Sequence, residues 1–223
     1  ANPYAYRTIL AVTFTNKAAR EMRDRLSTLV PGRLRGMWIY TFHSMCVRIL
    51  RSHATVLGYG DDFTIYDTDD SKRLIKDIMA DYGYTGRSFS ENAMRVRISA
   101  CKNELVSPAD YKPRVNDQLD KAFAEIYKAY QQRLKRANAM DFDDLLVNVY
   151  TLLSEHPDIC QEYGQRFHYI LVDEYQDTNK AQYEITKLLA SGHGNLMVVG
   201  DDDQSIYSWR GADIRNILDF ERD

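Results

Sequence analysis

The sequence has glycines but no phosphate loop. None of its 11 glycines stands in a G-x-x-x-x-G-K-[ST] arrangement, so these residues supply no backbone nest and lysine for a β- or γ-phosphate. Cysteine is scarce. Cys46, Cys101 and Cys160 are odd in number, far apart and never in a C-x-x-C pair, which excludes a disulfide framework or a zinc ribbon and leaves buried, reduced thiols as the expectation. The five histidines show no H-x₃-H spacing, and no structural metal is expected. No apolar run approaches the roughly 20 residues of a membrane span, and the first residues lack the basic-then-apolar pattern of a secretory signal, so a cytoplasmic chain with no membrane partner is expected. Internal repeats and low-complexity tracts are missing too.

What is present is the composition of a folded protein. An apolar content of 44% with 27% charged residues excludes a disordered chain, and 223 residues are enough for one domain or one and a half. The net charge of −3 hides an asymmetry: residues 1–60 hold nine Lys or Arg against two Asp or Glu, and residues 61–223 hold 20 against 30. A clustered basic segment is suited to phosphates, although a solvated, Arg-rich helix has the same composition.

The pattern along the chain changes twice. Thr8 to Phe14 reads as a buried strand, followed by a helix capped by Thr15 or Asn16 that runs to about Val30 and ends at Pro31 and Gly32. Met37 to Thr41 reads as a strand leading into a helix from about His43 to Leu57. Such β-α-β-α alternation implies a parallel sheet. From Asp61 strand signals dwindle to Phe63–Tyr66, and helices are expected near Asp69–Tyr82, Ser90–Asn103 and Asp117–Ala137, between loops holding Gly83, Pro108 and Pro113. The alternation resumes with a helix from Asp141 to about Glu155, a strand Tyr169–Val172, a helix Thr178–Ala190 and a strand Leu196–Val199. Residues 1–60 and 141–223 are therefore expected to share one α/β sheet, interrupted by a mostly helical segment over 61–140.

Two late segments carry the chemistry. Each is an apolar run that stops at carboxylates: Tyr169-Ile170-Leu171-Val172 at Asp173-Glu174, and Val198-Val199-Gly200 at Asp201-Asp202-Asp203. A buried parallel strand delivers charged groups in this way to the carboxyl edge of a sheet, where ligands bind. There Asp173 is placed to hold Mg²⁺, directly or through water, and Glu174 to orient an attacking water, as in a nucleoside-triphosphate motor; the plain alternative is a pair of strand-end carboxylates, one capping the next turn. The Asp201 run is not a calcium loop, because the positions that need Gly and Glu hold Ile206 and Ala212. Gln204 reads as a neutral hydrogen-bonding group close to a γ-phosphate. Tyr207 and Trp209 lie in a polar, Gly-terminated segment, suited either to stacking on bases or to anchoring the loop. Asp141 and Asp144 stand three apart at a helix start, as a cap does. Lys72, Arg73, Arg95, Arg97 and Lys102 read as solvated faces.

Asp173-Glu174-Tyr175-Gln176-Asp177, the run Gly200 to Arg210, Ala11-Val12-Thr13-Phe14-Thr15-Asn16-Lys17-Ala18-Ala19-Arg20-Glu21-Met22, Thr41-Phe42-His43-Ser44 and Asp141-Phe142-Asp143-Asp144-Leu145-Leu146 stand in an order and spacing that resembles the UvrD/PcrA/Rep group of superfamily 1A DNA helicases. The resemblance covers almost the whole length. It implies an incomplete RecA-like (P-loop NTPase) motor domain over 1–60 and 141–223, with an inserted helical subdomain over 61–140. It makes Asp173 the Mg²⁺ ligand, Glu174 the general base and Gln204 the sensor of the γ-phosphate, with Gln176, Asp177 and Arg210 linking the nucleotide to neighbouring motifs. Thr13, Phe14, Asn16, Thr41, His43, Tyr207 and Trp209 become contacts to single-stranded DNA, whereas Phe42 reads as core. The basic residues of 61–140 lie where such helicases touch duplex DNA.

The expectation is therefore part of an ATP- and Mg²⁺-dependent motor that moves 3′ to 5′ on single-stranded DNA and separates the duplex. In that family a phosphate loop precedes the first block and a second RecA-like domain follows the last, so these 223 residues alone are expected to hydrolyse no ATP. Two other readings stay open on the sequence alone: the motor segment of a RecB/AddA-like helicase-nuclease, and a non-catalytic DNA-binding or protein-docking module built on the same architecture.

Overall fold

The computed structural model describes residues 5–30, 36–84, 89–204, 212, 213, 216 and 220. Pro31, Gly32, Tyr207, Trp209 and Arg210 lie outside the described residues, so the expectations placed on them receive no structural account.

Among the described residues four parallel strands form the main sheet in the order β2-β1-β5-β6: β1 (Ile9–Thr13), β2 (Trp38–Thr41), β5 (Tyr169–Val172) and β6 (Leu196–Val198). The register aligns Thr13 with Thr41 and Val12 with Val172. Alternation sends Leu10, Val12, Trp38, Ile170 and Val172 to one face, where they meet α2 (Phe42–His53), α6 (Phe142–Glu155), α7 (Pro157–Arg166) and α8 (Lys180–Ala190) in one core. Ala11 and Ile39 point the other way, onto Ala19, Met22 and Leu26 of α1 (Asn16–Leu29). β1 and β2, buried on both faces, have no polar side to show, which is why they read as unbroken apolar runs; β5 and β6 are equally apolar although Tyr169 and Met197 stand exposed. The expected α/β class, a parallel sheet flanked by helices, is the observed one.

Between the two halves of the sheet the chain forms α3 (Thr68–Asp81), α4 (Glu91–Asn103) and α5 (Gln118–Arg136). These bury a second core around Ile75, Ile78, Met94, Ile98, Phe123, Ile126 and Tyr130. The chain leaves through β3 (Thr64–Tyr66) and returns through β4 (Ala139–Asp141), and these two pair in parallel as a separate sheet. Both β4 and α7 escape a reading of the sequence. Three residues without alternation become a strand only by pairing with β3, and α7 starts at Pro157 directly after α6, with Gly164 in its interior and only Ile159 and Tyr163 buried.

The helix starts follow local chemistry. Thr15 caps α1 by accepting from the Ala18 amide at 3.1 Å, and capping boxes close α3 (Asp67, Asp70), α6 (Asp141, Asp144) and α8 (Asn179, Gln182). α8 begins two residues later than expected, because Tyr175–Asp177 form a separate 3₁₀ turn.

Lys102 corrects the expectation of a solvated face. It is 2% exposed, with Nζ at 2.7 Å from Asp141 Oδ2 and 2.8 Å from Asp144 Oδ1. Tyr130 Oη donates to the same Asp141 oxygen at 2.9 Å, and Gln131 Nε2 to Asp144 Oδ1 at 2.8 Å. Lys102 from α4 and Tyr130 and Gln131 from α5 thus converge on the cap of α6. Arg97 is likewise committed, donating to Asp120 and lying 4.1 Å over the Phe123 ring.

Candidate nucleotide and nucleic-acid edge

Because all four main strands are parallel, their carboxyl ends share one edge, and the residues that follow them are brought together there. Beyond β1, Thr13 is fully buried and its hydroxyl donates to the Thr15 carbonyl at 3.2 Å. It shapes the turn from inside and offers no free group. Phe14 is half-buried, its ring edge-on to Phe42 at 6.0 Å, and Asn16 is exposed. Beyond β2, Thr41 caps α2, accepting from the Ser44 amide at 3.2 Å and donating to the Ser44 hydroxyl at 2.9 Å. Phe42 is buried, as expected of core. His43 is half-buried and meets the ring of Phe142 edge-on at 5.8 Å.

Phe142, which the sequence reading does not single out, stands beside His43 at this edge. It is 51% exposed, and its place in the sequence does not reveal this, because Phe42, equally the first helical residue after a cap, is buried.

Beyond β5 the chain turns sharply. The Asp173 amide donates to the Val12 carbonyl at 2.9 Å, continuing the ladder, and the Glu174 amide donates to Asp173 Oδ1 at 3.0 Å. Glu174 adopts φ 52° and ψ 41°, a left-handed conformation that disfavours side chains other than Gly, Asn and Asp. Its carboxylate stands exposed at the edge. Fully buried Gln176 lies between the two acidic segments: Nε2 donates to Glu174 Oε2 at 2.7 Å, and Oε1 accepts from the Asp201 amide at 3.1 Å. Asp201 Oδ2 in turn accepts from Gln204 Nε2 at 2.6 Å, and its Oδ1 from the Asp203 amide at 3.1 Å. Glu174, Gln176, Asp201 and Gln204 are therefore joined by an unbroken line of hydrogen bonds. Buried Asp177 closes the turn, its amide donating to the Glu174 carbonyl at 3.0 Å.

Among the described residues no group of three or more His, Cys, Asp or Glu side chains is placed to enclose a metal ion. The edge does offer what Mg²⁺ takes in phosphate chemistry, one or two carboxylates beside a phosphate site. Asp173, half-buried with one oxygen fixed by the Glu174 amide, fits that use.

The sequence matches the family model described as the UvrD/REP helicase N-terminal domain over residues 1–223. It is 50% identical over 215 residues to the ATP-dependent DNA helicase PcrA of Staphylococcus aureus, covering 96% of this chain and 30% of that protein. The PcrA of Staphylococcus epidermidis is similar to the same extent. The chain thus spans about 30% of the length of these curated relatives.

Proposed function

The chain belongs to the UvrD/REP helicase N-terminal domain family, and from that premise we propose that it forms part of an ATP-dependent DNA helicase, supplying one wall of the nucleotide site and a platform for single-stranded DNA. The observation that carries this reading is the hydrogen-bonded line from Glu174 through Gln176 and Asp201 to Gln204, because it joins the two acidic segments at the sheet edge that Phe14, Thr41 and His43 also follow.

In this reading Glu174 is the general base, taking a proton from the water that attacks the γ-phosphate. Its orientation is held by the Gln176 amide, so the base is aimed before the nucleotide arrives. Asp173 is the residue that holds Mg²⁺, which when bound offsets the charge of the phosphates. Gln204 senses the γ-phosphate, and any change in its bond to Asp201 is felt at Gln176 and Glu174. Asp177 and Arg210 complete the nucleotide-linked set. Phe14, Asn16, Thr41, His43, Tyr207 and Trp209 contact single-stranded DNA, by stacking and by bonds to phosphate and sugar that read no sequence. Half-exposed Phe142 beside His43 joins them, and Thr13 acts by shaping the turn. Residues 1–60 and 141–223 form the motor domain and 61–140 an inserted subdomain that meets duplex DNA. The 3′ to 5′ direction follows from the resemblance, and a cytoplasmic location is part of the same reading. Among the described residues no helix is long and apolar enough to cross a membrane.

The sequence contains no phosphate loop, so a phosphate-binding segment and a second RecA-like domain outside these residues complete the cleft, and the 223 residues alone hydrolyse no ATP. The test is Glu174→Gln in a longer helicase that carries this chain. DNA-stimulated ATP hydrolysis falls by about 10²–10⁴-fold, the range for loss of a general base, while single-strand affinity is kept. Hydrolysis at the parent rate overturns the assignment.

A further inference from the structure

α4 ends in two buried residues with different partners. Lys102 faces the Asp141 and Asp144 carboxylates. Asn103, 7% exposed, donates from Nδ2 to the Ser99 carbonyl at 2.9 Å and to Asp143 Oδ1 at 3.3 Å. Its Oδ1 accepts from Asn179 Nδ2 at 2.6 Å, across 76 positions of sequence. Asn179, 6% exposed, uses its own Oδ1 to cap α8, accepting from the Gln182 amide at 2.9 Å.

A helix N-cap needs one side-chain oxygen, and Ser, Thr or Asp supplies it as well as Asn. The second amide group of Asn179, aimed away from the helix at a buried acceptor on α4, is therefore not required by α8. It does fix the residue that leaves the acidic turn. Thr178, its neighbour, donates from Oγ1 to the Tyr175 carbonyl at 2.7 Å, and its own carbonyl accepts from the Asp213 amide and from Asn216 Nδ2, each at 3.0 Å. Upstream, the turn is fixed where Asp173 pairs with Val12. Between these anchors stands Glu174 with its positive φ, a conformation that persists only where the surroundings over-determine it.

We propose that Asn103 and Asn179 form a positioning pair for the Asp173–Asp177 turn, seating it against the end of α4 so that Glu174 and Gln176 stay in register with Asp201. The proposal rests on the reading of Glu174 as the general base. Neither asparagine touches a reacting atom; both act through the turn.

Asn179→Ser separates the bridge from the cap, because serine retains a capping oxygen and lacks the amide Nδ2 that reaches Asn103. Amide hydrogen exchange of the 223-residue chain is the first readout. Exchange at Asp177 and Thr178 rises about tenfold, the factor supported by loss of one buried hydrogen bond, while Leu10 and Val12 in β1 exchange as in the parent. In a longer helicase carrying the chain, kcat for DNA-stimulated ATP hydrolysis falls by about the same factor, with KM for ATP unchanged. Parent-like exchange and kcat overturn the proposal, as does a rise spread evenly over the sheet, which marks lost stability alone. Asn103→Ser, which withdraws the acceptor from the other side, gives the same pattern and decides the matter if Asn179→Ser does not fold. If Glu174→Gln in the same protein leaves hydrolysis intact, the reading of Glu174 fails by itself, and the exchange arm still decides whether the bridge seats the turn.

Discussion

Lys102 keeps its charge at 2% exposure because two carboxylates stand against it. Burial alone pushes its ammonium pKa down, but Asp141 and Asp144 outweigh that and hold it well above the ordinary value. Asp144 shows the reverse balance: burial and then the neighbouring Asp141 charge push it up to about 6 against the pull of Lys102. Burial also raises Asp141, yet Lys102, the Asp144 amide and Tyr130 overcome it and leave it lowered. The signs follow by linkage. Lys102 contributes stability through neutral pH that is lost only as pH rises from its unfolded value of about 10.4 through the raised folded one. Asp141 contributes stability that is lost on acidification, whereas Asp144, binding its proton more tightly when folded, adds stability as pH falls from about 6 towards 4. Lys102→Met leaves two buried carboxylates without a cation and costs on the order of 3–5 kcal/mol near neutral pH. That cost shrinks towards about pH 5, because each carboxylate then takes up a proton that the unfolded chain releases. Thermal melts at the two pH values check this, and an equal loss at both would show that packing rather than charge is at stake. Nothing in the sequence distinguishes Lys102 from Lys72 or Arg73, since its partners at Asp141 and Asp144 are 39 and more residues away.

Helices announce themselves where their ends carry their own chemistry. Thr15, Asp141 with Asp144, and the Ser90 and Asp117 caps of α4 and α5 are all readable within four residues, because capping is a local competition for orphan amides. α7 lacks such a cap: His156 precedes it without a side-chain bond, and Gly164 weakens it from within. That glycine is replaceable. A Cβ there meets only the Leu189 carbonyl, at an ordinary 3.8 Å, so Gly164→Ala stabilises the chain by about 0.5–1 kcal/mol and raises the melting temperature by about 1–4 °C. A lower melting temperature would mean that α7 and α8 pack too closely there to accept a methyl group. The short strand β4 is illegible for a different reason, its extended form being imposed by β3 rather than by Ala139-Met140-Asp141.

At the scale of the molecule, the parallel order of β2, β1, β5 and β6 is what converts four separate stretches of sequence into one edge. The acidic segments are legible as strand ends because an apolar run stops abruptly at each, although β5 and β6 leave Tyr169 and Met197 exposed. Periodicity leaves no trace of their connection through Gln176, a buried glutamine and a loop aspartate 25 positions apart; only the family resemblance singles that residue out as a link. The same topology orders events in time. β1 pairs with β5 from Ile9 opposite Tyr169, so the central pairing of the sheet must wait for the whole intervening chain, whereas α3, α4 and α5 close their core among residues 75–139. Loop closure over such a span is slow compared with helix packing. Refolding from denaturant, followed by pulsed hydrogen exchange, is expected to protect amides of α4 and α5 before those of Leu10 and Val12; simultaneous protection would refute this order. The helical segment then matures first and offers α4 as a finished surface, and the acidic turn after β5 is among the last parts of the protein to be set.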